Sequence, residues 1–369
     1  MPNVTQTITN YLGGVSRQPD TKKLPGQVTE AVNAYPDPTF GLTKRPGFKF
    51  LTNLGNANIY DNAKWFYIHR DGDEKYIGCI KGTAIYIWNA TSGVQATVSY
   101  TNNANTTYLT GTNANDYDVL TVQDTTLITN KTKTITTQAA PSFTANAVGT
   151  VRLRAVTVST QYDVTINGTT VGYATGGTQA TADTILLNLK NNIDALNIAG
   201  LTVTRLDNSL ELSGTSTFTL SGKGGTDNER LDTFQDQVAN VGTLPDKALH
   251  DRVVKVLNTE SNDDTYYARF RADNGVSGNG YWEEYIAPNV SPGLDDTSMP
   301  HELVNTGLNT FTFRSVSYTD RLVGDDTTNS HPSFVGKKIQ QAFFHSSRLG
   351  FLVDDNVSLS QANEFFNFY

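Results

Sequence analysis

Short apolar runs closed by turns of Asp and Gly recur along this chain, and they restrict it to antiparallel hairpins. "WFYIHR" (65–70) and "EKYIGCI" (74–80) flank Asp71-Gly72-Asp73, and "TAIYIWN" follows Lys81-Gly82. "DYDVLTV" and "TTLITN" flank Gln123-Asp124, and far downstream "RLGFLV" and "NVSLSQ" flank Asp354-Asp355. Each run is too short for a stable helix and rich in the β-branched and aromatic residues that suit a half-buried pleated surface. Asp-Gly and Asp-centred turns supply the backbone geometry of a tight hairpin. A strand–turn–strand unit that recurs in this way predicts a mainly β, propeller-like platform built of antiparallel hairpins. Composition agrees: charged residues are 17% of the chain, there are 17 Phe and 17 Tyr, and much of the remaining polarity comes from Thr, Asn, Ser and Gly.

One segment departs from this pattern. Between residues 149 and 225 the order is strand "YDVTING", strand "TTVGYAT", helix, strand "LTVTRLD", strand "SLELSG". "ADTILLNLKNNIDAL" sets Leu186, Leu189, Ile193 and Leu196 at spacings of three and four, one apolar stripe of a helix. Thr181 or Asp183 suits its N-cap and Gly200 its stop. A small inserted α+β module is expected here, joined through polar "TTQAAPSFTANAVG" on one side and glycine-rich "SGKGGTDN", read as a flexible connection, on the other. "DKALHDRVVKVL" (246–257) fits a short helix and a strand equally well. The chain thus divides into an extended arm (1–50), a first part of the platform (51–148), the module (149–225) and the platform continued (226–369).

The arm carries Gly and Pro at almost every turn-making position of "YLGGVSRQPDTKKLPGQ" and "AYPDPTFGLTKRPGF". It cannot build a core of its own, so its apolar residues, among them Leu24, Phe40 and Phe48, are candidates for contact with a neighbour. Arg17, Lys44 and Arg45 form a local basic excess in a chain of net charge −8 and are interface candidates with them. A net acidic chain does not grip nucleic acid over its whole surface, since that requires clustered Lys and Arg. No apolar run is long enough for a membrane-spanning helix, and no basic-then-apolar leader opens the chain, so neither a span nor a secretory signal is expected. Cys79 has no partner for an internal disulfide.

The search for chemistry finds little. His69, His250, His301, His331 and His345 lack metal-ligand spacing, and no nucleophile elbow or phosphate loop is complete. The acidic pairs Glu283-Glu284, Asp295-Asp296 and Asp325-Asp326 read as solvated turn residues or as an acidic lining; adjacent carboxylates on a strand point to opposite faces and cannot work as an acid/base pair. No catalytic residue, cofactor or metal is expected.

Motifs without chemistry speak more clearly. Gly14 to Pro19, Leu24 to Gln27, Asn33 to Tyr35 and Gly41 to Gly47 resemble, in order, the opening of the tail tubular protein B, or tail nozzle, family of short-tailed bacteriophages. "DDTYYARF", "GYWEEYIAPNVSPGLDDTSMPHEL" and "PSFVGKKIQQAFFHSSRLGFLVDDNVSLSQANEFFNFY" are similar to later signatures of that family. The resemblance implies a structural virion protein, made in the host cytoplasm and built into the tail. It implies a homohexameric ring below the portal and adaptor that continues the DNA-ejection channel and closes it before infection. Its partners would be its own copies, the tail adaptor, a tail fibre protein, and double-stranded DNA passing without specific binding. Family members are longer, and Phe-Phe-Asn-Phe lies inside their chains. The sequence therefore reads as an N-terminal portion, with Phe365, Phe366, Phe368 and Tyr369 expected to pack on elements absent here. The alternative is a tail spike or adhesin that binds or cleaves host polysaccharide, which calls for a coil repeat and facing carboxylates.

Overall fold

A computed structural model of the chain describes residues 5, 7–55, 58–72, 74–226, 229–257 and 265–369. It divides into two units, Met1–Asn56 with Thr91–Gly93, and Ala57–Ala90 with Val94–Tyr369. In the first, β1 (Ala34–Asp37) and β2 (Gly41–Lys44) form a hairpin. The Asp37 carboxylate accepts the N–H groups of Thr39 and Phe40, and Gly41 takes the positive φ the turn needs (78°). Residues 13–16 and 26–28 are tied by backbone bonds, Gly13 N to Gly26 O and Val28 N to Gly14 O among them. Gly26 is the one buried residue among those described in this unit, so it has no apolar core.

The second unit is mainly β, as the hairpin pattern implies. It opens with the meander β3 (Lys64–His69), β4 (Lys75–Lys81) and β5 (Ala84–Asn89). The first turn expected in it includes Asp73, which lies outside the described residues. There follow β6 (Thr97–Tyr100), the short helix α1 (Ala104–Tyr108), and the hairpin of β7 (Tyr117–Val122) and β8 (Thr125–Asn130). Gln123 takes the positive φ in that hairpin's turn.

Next come β9 (Val148–Leu153), β10 (Gln161–Ile166), β11 (Thr169–Ala174), α2 (Ala182–Asp194), β12 (Leu201–Leu206), β13 (Ser209–Gly214), β14 (Leu220–Gly224) and β15 (Leu231–Phe234). They form two sheets, β11-β10-β14 and β12-β13-β9-β15. Ile185, Leu186, Leu189 and Ile193 of α2 are buried in one cluster with Val151, Tyr162 and Leu212. Thr181 caps α2 by accepting Thr184 N–H, and the helix ends at Asp194, before the expected stop at Gly200.

The first half of the glycine-rich stretch expected as a flexible connection, Ser221 to Gly224, is instead part of β14, paired antiparallel with β10; Asp227 and Asn228 of that stretch lie outside the described residues. The glycines of β14 answer to close packing: a Cβ on Gly222 would lie 2.5 Å from Thr233 Cγ2, and one on Gly224 2.8 Å from Arg230 Cβ.

Beyond the module lie β16 (Gln237–Val238), β17 (Lys247–Leu249), β18 (Val253–Val256), β19 (Tyr266–Ala272) and β20 (Ser277–Tyr285), in the sheet β16-β18-β19-β20-β17. "DKALHDRVVKVL" is therefore two strands, parted by a turn in which Asp251 has φ 59°. Finally β21 (His301–Gly307) and β22 (Thr310–Arg314) join the earlier strands in the sheet β6-β22-β21-β8-β7, and β23 (Gln341–His345), β24 (Arg348–Val353) and β25 (Asn356–Leu359) form a second meander.

These sheets are layered. One cluster joins Ile80 and Ile87 of the first meander to Ile128, Leu303, Phe311 and Phe313 of the sheet β6-β22-β21-β8-β7. On the other side of that sheet Leu127 joins Ala342, Leu349 and Phe351 of the last meander. Adjacent residues of β8 thus face different cores, as strand alternation requires. The two meanders share a further device. Phe66 lies over Gly78 across β3 and β4, and Phe343 over Gly350 across β23 and β24; a Cβ on either glycine would fall 2.4 Å and 2.2 Å from the facing ring.

Three of the four terminal aromatics already pack in part on this chain. Phe368 stacks on Phe351 at 4.9 Å, Phe366 meets Tyr318 edge-on at 5.4 Å, and Tyr369 Oη lies 2.7 Å from His331 Nδ1. Phe365 is more exposed and meets Phe344 edge-on. Phe366, Phe368 and Tyr369 are partly buried against the cluster of Phe334, Leu349 and Phe351.

Candidate functional site

The interface candidates of the first unit are displayed at its surface. Leu24 is 68% exposed, Phe40 79% and Phe48 90%. Phe40 lies in the turn of the β1–β2 hairpin, where the Asp37 cap fixes the backbone. Lys44 closes β2 opposite Ala34, and the Arg45 guanidinium sits 4.5 Å over the Phe48 ring. Arg17 is exposed between the two tied segments. Val32 and Phe50, not singled out from sequence, are as open as these, at 70% and 80%. Their signal was available, since neither belongs to a periodic apolar face. Large apolar side chains exposed in this density make this surface a candidate for contact.

The acidic candidates are dispersed and largely engaged in local structure. Glu283 on β20 lies opposite Arg269 on β19, and its Oε1 receives Arg269 Nη2 at 2.6 Å and Arg271 Nε at 3.0 Å. The Arg269 bond, opposed by partial burial, holds this carboxyl below its ordinary range. Glu284, the next residue, is exposed on the other face of the strand.

Asp295 and Asp325 each organise a turn of the same design. Asp295 Oδ1 accepts the N–H and hydroxyl of Thr297; Asp325 Oδ1 accepts those of Thr327 and Thr328. Backbone N–H of Thr328 first, then Thr327, hold Asp325 well below the carboxylate range. At Asp295 burial works upward, but the bonds from Thr297 and Thr136 outweigh it and the net direction is down. Their neighbours differ: Asp296, pushed up by burial, accepts Tyr318 N–H, whereas Asp326 pairs with the fully buried Arg321 at 2.8 Å. Of the six, Glu284 and Asp325 line one groove of about 500 Å³ with Lys255, Tyr266, Tyr267 and Tyr285.

Among the described residues no group of three or more His, Cys, Asp or Glu is placed to hold a metal ion. His301 and its neighbour Glu302 are both engaged by the surrounding fold. The imidazole is stacked 3.9 Å from Tyr108, bonded to Met299 O and pushed by burial down to about 4, while Glu302 pairs with Arg314 at 2.6 Å. Burial likewise pushes the Cys79 thiol up to about 12, which keeps it protonated and unreactive.

Comparison with known proteins supplies what the chemistry leaves silent. A family model described as bacteriophage nozzle protein matches residues 1–369. The chain is also similar to "Tail tubular protein gp12" of Escherichia phage T7, at 29% identity over 391 residues covering 100% of this chain and 48% of that protein. It spans about half the length of that curated relative.

Proposed function

The chain belongs to the bacteriophage nozzle protein family, and from that membership we propose that it is one subunit of a ring continuing the DNA channel at the end of the tail and closing it until infection. It is a structural protein of the phage tail, and so a component of the virion. In this reading the ring is a homohexamer seated below portal and adaptor, in contact with tail fibres, and double-stranded DNA passes through it without specific binding.

The observation that carries the reading is the first unit: a segment without its own core that presents Leu24, Phe40 and Phe48 beside Arg17, Lys44 and Arg45. Burying each such side chain against a neighbour contributes about 1.5–3 kcal/mol, and arginine offers carboxylates of an acidic neighbour a bidentate partner. A propeller-like platform is part of the proposal. It draws support from the two meanders that share a Phe over a Gly, packed on either side of one larger sheet. A net charge of −8 suits a conduit to which phosphates should not adhere.

The reading includes no catalysis: host cell-wall material and capsular polysaccharide incubated with the protein should release no sugar or peptide above the buffer control. Deleting residues 1–30 tests the contact itself. Loss of the oligomer in sedimentation, with the subunit's melting temperature unchanged, is the expected result. Intact assembly with a lowered subunit melting temperature would show that the arm merely packs on its own chain.

A further inference from the structure

The seam between the α2-bearing module and the sheet β16-β18-β19-β20-β17 holds charges that nothing so far has used. Glu211 lies on β13, fully buried, opposite Thr150 of β9, whose hydroxyl donates to Glu211 Oε1 at 2.8 Å. Arg252, immediately before β18, reaches from the other side with its side chain 3% exposed. Its Nη2 donates to Gln235 O and, at 3.4 Å, to Val148 O, so one guanidinium grips both chain segments that enter and leave the module. Its Nε stands 3.9 Å from Glu211 Oε2 and its Nη1 3.7 Å from Asp236 Oδ1, within ion-pair range but too far for hydrogen bonds. Those three atoms, Arg252 Nε, Glu211 Oε2 and Asp236 Oδ1, are buried without a hydrogen-bond partner.

We propose that the Glu211–Arg252–Asp236 cluster is a latch that seats the module on the five-stranded sheet, and that uptake of a proton by Glu211 tightens it. With both carboxylates ionised, one cation faces two anions. Thr150 donates to Glu211 Oε1 and Asn146 N–H to Oδ2 of the partly exposed Asp236, while Glu211 Oε2 and Asp236 Oδ1, the oxygens turned to Arg252, have no donor. A proton on Glu211 removes the excess negative charge and leaves Arg252 paired with Asp236. Removing one partner of a buried pair is costly because an uncompensated charge stays behind; here the compensation is already incomplete when every group is charged.

The charged group facing Glu211 is Arg252, whose guanidinium also faces Asp236. From β9 it meets Thr150, while Arg152 is turned to Gly242 O at 2.7 Å, and from β17 Lys247 is engaged by Asp207 at 3.1 Å. Burial pushes the Glu211 carboxyl up to about 7, opposed by Arg252 and by the Thr150 hydroxyl. An acid raised above its unfolded value contributes stability that is fully present below that unfolded value and is lost as pH rises through the folded one. The seam is therefore tightest in mild acid and loosens as pH rises through about 7.

Hydrogen exchange of the full chain at about pH 6 and about pH 8.5, corrected for intrinsic exchange and referred to β24, tests this. Amides of β13 and β18 should be about tenfold more protected at the lower pH, and Glu211→Gln should abolish the difference by protecting the seam at both. Equal protection in the natural protein, or a difference that survives E211Q, overturns the latch. Should E211Q not fold, Asp236→Asn removes the excess charge from the other carboxylate. It should raise seam protection at the higher pH, and no gain there overturns the proposal equally.

Discussion

Asp325 shows what a single carboxylate does in this protein. Its Oδ1 closes a loop by gathering the N–H and hydroxyl groups of Thr327 and Thr328, which replaces secondary structure in a stretch that has none. Because those bonds hold its carboxyl well below the usual range, the stability they contribute is present at neutral pH and is lost as pH falls through the folded value. Asp325→Ala should lower the melting temperature at neutral pH, and by progressively less in strong acid. Calorimetry over a pH series checks this, and an unchanged melting temperature at neutral pH would show the loop to be held by other means. Gly222 makes the opposite use of a residue, by the absence of a side chain. Gly222→Ala should cost about 1–3 kcal/mol in urea unfolding, since Thr233 and the β10 backbone leave no room. A neutral substitution would return the stretch to the flexible connection its glycines suggest.

Elements were legible where one strong period governed them. The stripe of Leu186, Leu189 and Ile193 announced α2, and Leu189→Ala should cost about 2–5 kcal/mol by thermal or chemical unfolding, since that side chain is fully buried. The hairpins around Gln123 and Asp354 were equally plain, because both residues take the positive φ that tight turns favour. β14 was not legible, since glycines chosen for close approach look the same in sequence as glycines chosen for freedom. "DKALHDRVVKVL" stayed ambiguous because its two strands are short and the turn between them, His250 to Arg252, carries no Gly or Pro. β15, beyond residue 225, was missed as a member of the module's sheet; it pairs with β9, a contact no local pattern records. Residues 146–238 expressed alone should give a dispersed amide spectrum, whereas 149–225, lacking β15, should give a collapsed one; dispersion in the shorter piece would show that β15 is dispensable.

At the scale of the whole molecule the two units differ in kind. The second buries several apolar clusters, while the first buries almost nothing among its described residues yet exposes Phe40, Phe48 and Phe50. The candidate surface was visible in sequence as a Gly/Pro-rich segment with apolar residues on no common face. Asp295 and Asp325 were legible as turn residues, whereas Glu283 and Glu284 lie on β20. The partners were not legible, because Arg321 and Asp326, or Glu283 and Arg269, find each other through the fold. In the proposed reading the candidate surface is where copies meet, and closed cyclic symmetry is how repeated head-to-tail contacts end in a ring. Negative-stain imaging of the purified full chain is the most direct test. Hollow homohexameric rings are predicted, and solid trimeric rods would contradict the account.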